Sequence, residues 1–417
     1  MNSPARTLAL VESPVQLLNV LEWAHAQAHA QAQAQAQAQA HAQAAAQARH
    51  QPETDARTGD GPHRRGPLLS GVPSQPGPLA GRRPQDGPPG PGAHHGPHII
   101  VLPPTDPMSR GQLRRVAALA RDEGHTVRWQ EARGGSGSPL GALTTLAAAV
   151  RRAERIVVGD PFSRLVQLLL VPARGAELVV VDDGTATMEF VAQLGRGERL
   201  RRWHRTGGGA LARARELAYA PVSGTARRRL TPRGGRAMEV FTSMPVTPLP
   251  GMELRVNDFA WTRSRFGPPR LTRGTDLVGT SLVETGVVDP ARYLDAVRAL
   301  TLEHGVTRYF AHRRESPEKL RALSEAAGLE IVRPDLPLEL IARRGPVGRT
   351  IVSFPSTVVH TLPYALTGTG VTVAVCDIDP AWLTAAASPR ARGFLAGVTD
   401  TARDVRRLPA QAAPAAG

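Results

Sequence analysis

"LVVVDDGTAT", residues 178–187, is an unbroken aliphatic run that stops on two adjacent carboxylates and a glycine. Leu178 to Val181 show no polar alternation, which describes a strand covered on both faces, as in a parallel sheet. Asp-Asp-Gly is also ordinary turn chemistry. The stretch therefore raises two questions. One is whether the chain is a parallel α/β protein. The other is whether Asp182 and Asp183 merely turn the chain or stand at a ligand-binding rim.

The flanking sequence answers the first. Upstream, Leu8–Val11 reads as a strand, and Ser13-Pro14-Val15-Gln16 as a helix start, with Ser as cap, Pro in the first turn and Gln three residues on. "HIIVLPP", "HTVRWQ" and "RIVVGD" read as strands. "RGQLRRVAALARDEG", "TTLAAAVRRAE", "PFSRLVQLLLVP" and "TATMEFVAQL" read as helices between and after them. Strands alternating with helices of this length predict a doubly wound parallel sheet. Ligands bind such sheets beyond the carboxyl ends of the strands, which places Ser13, Asp160, Asp182 and Asp183 on one rim.

A second α/β unit follows. "DLVGTSLVETGVV" is strand and loop, "DPARYLDAVRALTLEHG" a helix, "TRYFAH" a strand and "SPEKLRALSEAAG" a helix. "EIVRP" is a strand, "DLPLELIARRG" a loop, "TIVSF" a strand, "STVVHTLPYALTG" a helix and "VTVAV" a strand. The expected fold class is α/β and GT-B-like, two Rossmann-like lobes facing a central cleft, although the spacing alone equally allows other two-lobed binders or dehydrogenases. The expected bounds are 1–23 with 98–245 for the first lobe, 246–274 for a Pro-broken interlobe linker, 275–405 for the second lobe, and 406–417 for a flexible tail. Residues 24–97 begin as an Ala/Gln/His repeat with no apolar stripe and continue rich in Pro and Gly, so a disordered low-complexity insertion is expected there. The arginine-rich 201–240 reads as a helix with loops, and Gly207–Gly209 as loop.

Composition bounds the function. The 417 residues carry a formal charge of +15, and Lys319 is the single lysine among 51 basic residues. That arginine bias, with the Ala, Gly and Pro richness, reads as the codon usage of a GC-rich genome. A basic surface could still sit peripherally on an anionic membrane. With 4% aromatics and no helix-turn-helix, zinc-finger or RNA-binding signature, nucleic acid is not an expected partner. No apolar run reaches the ~18 residues of a membrane span, and Cys376 is the lone cysteine, so a cytoplasmic location is expected. No G-x-G-x-x-G follows the first strand and there is no P-loop, which removes the strongest support for dinucleotide or ATP binding.

The remaining motifs are ordinary singly. His312, Arg313 and Arg314 end a strand, where they can bind phosphate or simply be solvated. Ser356 and Thr357 open a helix after a strand, where they can cap it and bind an anion at once. Glu339 is a carboxylate in a Pro-flanked loop, suited to ribose hydroxyls or to the surface. Their order is distinctive: DDG (182–184), then "GTSLVE" with Gly279 and Glu284, then "HRRE" (312–315), then "PLE" (337–339), then Ser356-Thr357. With "SPVQLLN" (13–19), this order resembles that of the bacterial sialyltransferases and polysialyltransferases.

The resemblance implies an inverting, metal-independent transferase, with no cofactor, that takes CMP-sialic acid as donor and a glycan as acceptor. It implies a DDG aspartate as general base, with Asp183 favoured over Asp182 because it adjoins the glycine that turns the chain away. It implies His312, Ser356 and Thr357 on the CMP phosphate and Glu339 on the cytidine ribose. Gly279, Glu284 and Arg314 complete the donor side; Ser13, Gln16, Asn19 and Asp160 fall to the acceptor side. The chain departs from the family at Arg313, where proline usually follows the histidine, which puts donor geometry and activity in question. The competing readings are another nucleotide-activated donor on the same fold, a non-catalytic binder of nucleotide or anionic glycan, and a basic polymer binder.

Overall fold

Every strand pairing in the two main sheets is parallel. The computed structural model describes residues 6–50, 96–131, 139–201, 210–233 and 238–411. The first lobe runs β1 (Thr7–Val11), α1 (Pro14–His50), β2 (His98–Val101), α2 (Pro107–Asp122), β3 (Val127–Trp129), α3 (Pro139–Arg152), β4 (Arg155–Val158), α4 (Arg164–Leu170), β5 (Glu177–Val181), α5 (Thr185–Gly195), α6 (Ala210–Leu230), β6 (Met238–Thr242) and β7 (Met252–Val256). A short helix, α7 (Ala260–Arg265), leads to the second lobe. That lobe runs β8 (Leu271–Val278), α8 (Pro290–His304), β9 (Val306–Phe310), α9 (Pro317–Ala327), β10 (Glu330–Val332), α10 (Leu338–Arg344), β11 (Val347–Ser353), α11 (Val358–Ala365), β12 (Thr372–Cys376), α12 (Pro389–Thr401) and β13 (Arg406–Leu408).

The sheet orders are β3-β2-β1-β4-β5-β6-β7 and β10-β9-β8-β11-β12-β13. Each reverses direction beside its first strand, the switch-point order of a Rossmann sheet, where ligands gather. Two such lobes across a cleft make the GT-B-like architecture expected from the sequence. The opening strand shows why. On β5, Leu178 and Val180 pack into the core on one face of the sheet, and Val179 and Val181 into the core on the other. β1 divides in the same way, Leu8 and Leu10 against Ala9 and Val11. At roughly 1.5–3 kcal/mol per buried aliphatic side chain, shifting such a strand by one residue gains nothing, and its carboxyl-end residues stay fixed.

Three expected boundaries move. The linker expected over 246–274 contains β7 and α7, and the expected loop 201–240 ends in β6; proline and glycine on either side conceal these short strands. The tail expected from 406 begins with β13, which pairs with β12. The loop expected around Glu339 is helix α10, started by Pro337. The run Gly207–Gly209 lies outside the described residues.

Helix α1 runs to His50, so the Ala/Gln/His repeat that opens the insertion expected over 24–97 is helical as far as that residue. Ser13 caps the helix, accepting from the Gln16 N–H at 3.2 Å. Ala24 and Ala26 still pack on the core, and Gln27 donates to Glu239, so the first lobe includes residues beyond the expected limit at 23. Among the described residues, 6–28 and 96–411 lie in one compact unit and 29–50 in another. A helix-to-strand connection in an α/β lobe ordinarily takes only a few residues. Replacing 29–94 by a short Gly/Ser linker is therefore expected to move the melting temperature by less than about 2 °C, read by circular dichroism. A drop several times larger would show that the segment supports the fold.

Candidate functional site

The two aspartates have separate environments. Asp182 is 2% exposed. Its Oδ1 accepts from the Gly184 N–H at 2.9 Å and the Thr187 hydroxyl at 3.0 Å, and its Oδ2 accepts from the Ser243 N–H at 3.2 Å. Burial pushes its pKa up to about 6, against the pull of these bonds and of the Thr242 hydroxyl. Its backbone carbonyl accepts from Asn19 at 2.8 Å, and Asn257 in turn donates to Asn19 at 2.9 Å. Asp182 thus fastens the end of β5 to α5, to the loop after β6 and, through its carbonyl, to α1. Asp183 is half-buried and faces the cleft cavity; its N–H donates to the Thr187 hydroxyl at 2.9 Å.

Gly184 is required here twice over. Its φ is +65°, where an L side chain is strained, and a Cβ would stand 2.9 Å from the Thr357 methyl of the other lobe. Gly184 of the DDG turn therefore lies against Thr357 at the opening of α11, although the two residues are far apart in sequence.

On the second lobe, His312 follows β9. Its Nδ1 accepts from the Arg314 N–H at 3.2 Å, which assigns the ring proton to Nε2. Burial, with the charges of Arg313, Arg314 and Lys319, lowers its pKa to about 4, so the imidazole is neutral near pH 7. The Glu315 carboxylate accepts from the His312 N–H at 2.5 Å, from the Tyr309 hydroxyl at 2.5 Å and from Lys319 at 2.7 Å. Arg313 lies on the cavity wall, and its charge reaches across the lobes to Asp106, the cap of α2. Hydrogen bonding to Ser109 is the larger cause of the lowered Asp106 pKa.

Glu339 opens α10, is 6% exposed and accepts from the Thr361 hydroxyl at 2.6 Å. Burial raises its pKa. Ser356 pairs with Ser353 at 3.0 Å, and Thr357 stands at the N-cap of α11 without a side-chain capping bond. The Val359 and His360 N–H groups donate to the Ser356 and Thr357 carbonyls, and the positive end of the helix dipole here suits an anion.

A cavity of about 480 Å³ lies between the lobes. It brings together Asp182, Asp183, His312, Arg314, Glu339, Ser356 and Thr357, with Ser13, Asn19 and Gly279. Three expected site residues are not on its wall. Gln16 accepts from the Glu12 N–H and packs against Gly159; Asp160 accepts from the Phe162 N–H and shapes a turn; Glu284 accepts from the Ser316 N–H. These three shape the rim rather than face the cavity. Conversely, Asn257, Thr187, Thr361 and Ser243 support site residues without having been singled out from sequence. Only Thr187, four residues after Asp183, had a local signal. Among the described residues no cluster of His, Cys, Asp and Glu is arranged to hold a metal ion, and no helix is long and apolar enough to cross a membrane.

No family model matches the chain, and no curated protein matches it in sequence. Among solved structures it is similar to an α/β-galactoside α-2,3-sialyltransferase from the luminous marine bacterium Photobacterium phosphoreum, at 8% identity and TM-score 0.41, over 75% of this chain and 91% of that one. It is also similar to an Os79 variant from O. sativa in complex with UDP, at 14% identity and TM-score 0.35, over 74% and 90%. A third is the calicheamicin glycosyltransferase CalG4, at 11% identity and TM-score 0.30, over 75% and 78%.

Two outcomes follow from this geometry. Gly184→Ala is expected to cost of order 1–3 kcal/mol in chemical denaturation, because it adds a strained φ to a clash with Thr357. Asp182→Asn tests the buried carboxylate. The folded pKa near 6 exceeds the ordinary 3.8, so the folded state holds the extra proton and Asp182 favours folding most below pH 4. That contribution is lost as pH rises through 6. The melting temperature of wild type relative to the variant should therefore fall from pH 4 to pH 7, whereas a constant difference would remove Asp182 as the titrating group.

Proposed function

We propose that the chain is an inverting, metal-independent glycosyltransferase that moves sialic acid from CMP-sialic acid to a hydroxyl of a glycan acceptor. The observation that carries this reading is convergence. The DDG, His312, Glu339 and Ser356-Thr357 motifs, scattered along both lobes, meet on one cavity with the carboxylates of the first lobe opposite the donors and cations of the second.

The chemistry assigns a task to each group. The bond between the anomeric carbon and the CMP phosphate oxygen breaks, and CMP leaves with the electron pair. The acceptor oxygen bonds to the opposite face of that carbon, and its proton passes to Asp183. Asp183 suits this because it faces the cavity, while Asp182 is committed to Gly184, Thr187 and Ser243. His312 enters as a neutral donor, offering its Nε2–H to the departing phosphate. Its first role is therefore electrostatic stabilisation rather than proton delivery. Ser356, Thr357 and the first turn of α11 take the remaining phosphate oxygens. Glu339, oriented by Thr361, accepts from the ribose hydroxyls. Arg313, where the resembling family has proline, adds positive charge beside the phosphate.

The test is CMP release from CMP-sialic acid with an oligosaccharide acceptor, together with calorimetric CMP binding. Asp183→Ala should lower kcat by at least about 100-fold with little change in CMP affinity, the signature of a lost general base. His312→Ala should weaken both. Failure of the wild type to bind CMP, or turnover of a UDP-sugar in its place, would overturn the donor assignment. CMP binding without turnover would instead favour a non-catalytic relative.

A further inference from the structure

Lys319 is the single lysine of the chain; the other 50 of its 51 basic residues are arginine. It lies in the first turn of α9 with 10% of its side chain exposed. Its ammonium donates to the Thr280 carbonyl at 2.9 Å and to Glu315 at 2.7 Å, lies 3.5 Å from Glu284, and sits 4.1 Å from the centre of the Tyr293 ring. A tetrahedral ammonium can aim three N–H bonds at three diverging acceptors over an aromatic face. A planar guanidinium fork cannot do so in the same space.

The acceptors belong to two loops that meet at the cleft. Thr280 and Glu284 follow β8, and Glu315 closes the loop after β9. Glu315 has no exposed side-chain surface and holds the His312 N–H, while Glu284 holds the Ser316 N–H just beyond. Tyr309 donates to Glu315, and the Tyr293 hydroxyl lies 2.7 Å from that of Tyr309. The buried carboxylate needs a counter-charge, and Lys319 supplies it. We propose that Lys319 is a positioning residue that locks the 279–284 and 312–315 loops in one register and so sets how His312 faces the cleft.

The decisive experiment uses the full chain without ligand and reads two properties of His312 by NMR in Lys319→Met and Lys319→Arg. The charged groups around the imidazole are Arg313, Arg314, Glu315, Glu284 and Lys319. Lys319→Met should speed exchange of the His312 amide by about tenfold or more, since a hydrogen-bonded buried charge loses its partner. It should also raise the imidazole midpoint, because one nearby cation is gone. Lys319→Arg should speed the exchange equally but keep the midpoint low, since the charge remains and the geometry does not. An unchanged amide in a folded Lys319→Met, or full rescue by arginine, overturns the proposal. If Lys319→Met does not fold, Glu284→Gln removes the carboxylate charge 3.5 Å from Lys319 and leaves an amide oxygen that can still accept from the Ser316 N–H. A faster His312 amide there supports the proposal, and an unchanged one overturns it. The link to catalysis rests on the transferase reading, and an added CMP titration separates the two. CMP bound at least about tenfold more weakly by Lys319→Met supports the link, and unchanged affinity overturns the link alone. Absence of CMP binding even to wild type sinks the transferase reading and leaves the His312 results to decide the positioning role.

Discussion

The site depends on one buried carboxylate. Asp182 has left water, at a cost that shows in its raised pKa and that its bonds from Gly184, Thr187, Ser243 and Thr242 offset only in part. Those bonds join the end of β5 to α5 and to the loop beyond β6, and the bond from Asn19 to its carbonyl adds α1. Asp183 is the next residue, so its place at the cavity follows from its neighbour's anchorage. The adjacent pair divides the work: one carboxylate builds the turn and the other lines the cavity.

The opposite wall follows the same logic with charges reversed. Glu315 is to the 312–315 loop what Asp182 is to the DDG turn: a buried carboxylate satisfied by backbone, hydroxyl and cation. Between these anchors the cavity is polarised, with Asp183 and Glu189 on one side and Arg313, Arg314 and the α11 terminus on the other. A ligand that carries a phosphate at one end and presents a hydroxyl at the other matches that polarity. The pKa of His312 is lowered first by burial and then by the cations of the same wall, and both keep the imidazole neutral.

Much of this was legible in the sequence because the governing patterns are local. "LVVV" announces a two-faced strand, strand–helix alternation announces a parallel sheet, and the sheet's carboxyl rim then collects the motif residues. What escaped is either short or distant. β6 and β7 lie among prolines and glycines, and α10 is a seven-residue helix behind Pro337, too brief for periodicity to register. Asn257 reaches Asn19 across 238 residues, and no spacing rule encodes such a bond. Gln16 and Glu284 sit in the right segments but point into the scaffold, because residues beside a site must also hold the loops that form it. The lone lysine was visible as a count, but only its three acceptors give it a meaning.

The central claim is that one nucleotide site spans both lobes. Hydrogen–deuterium exchange of the full chain with and without CMP tests it most directly. The account predicts slower exchange in four segments of the second lobe, 279–284, 312–315, 337–341 and 355–361, and in the facing turn 182–187, with helix α6 unaffected. Protection confined to α6, or to one lobe with 355–361 unchanged, would contradict it.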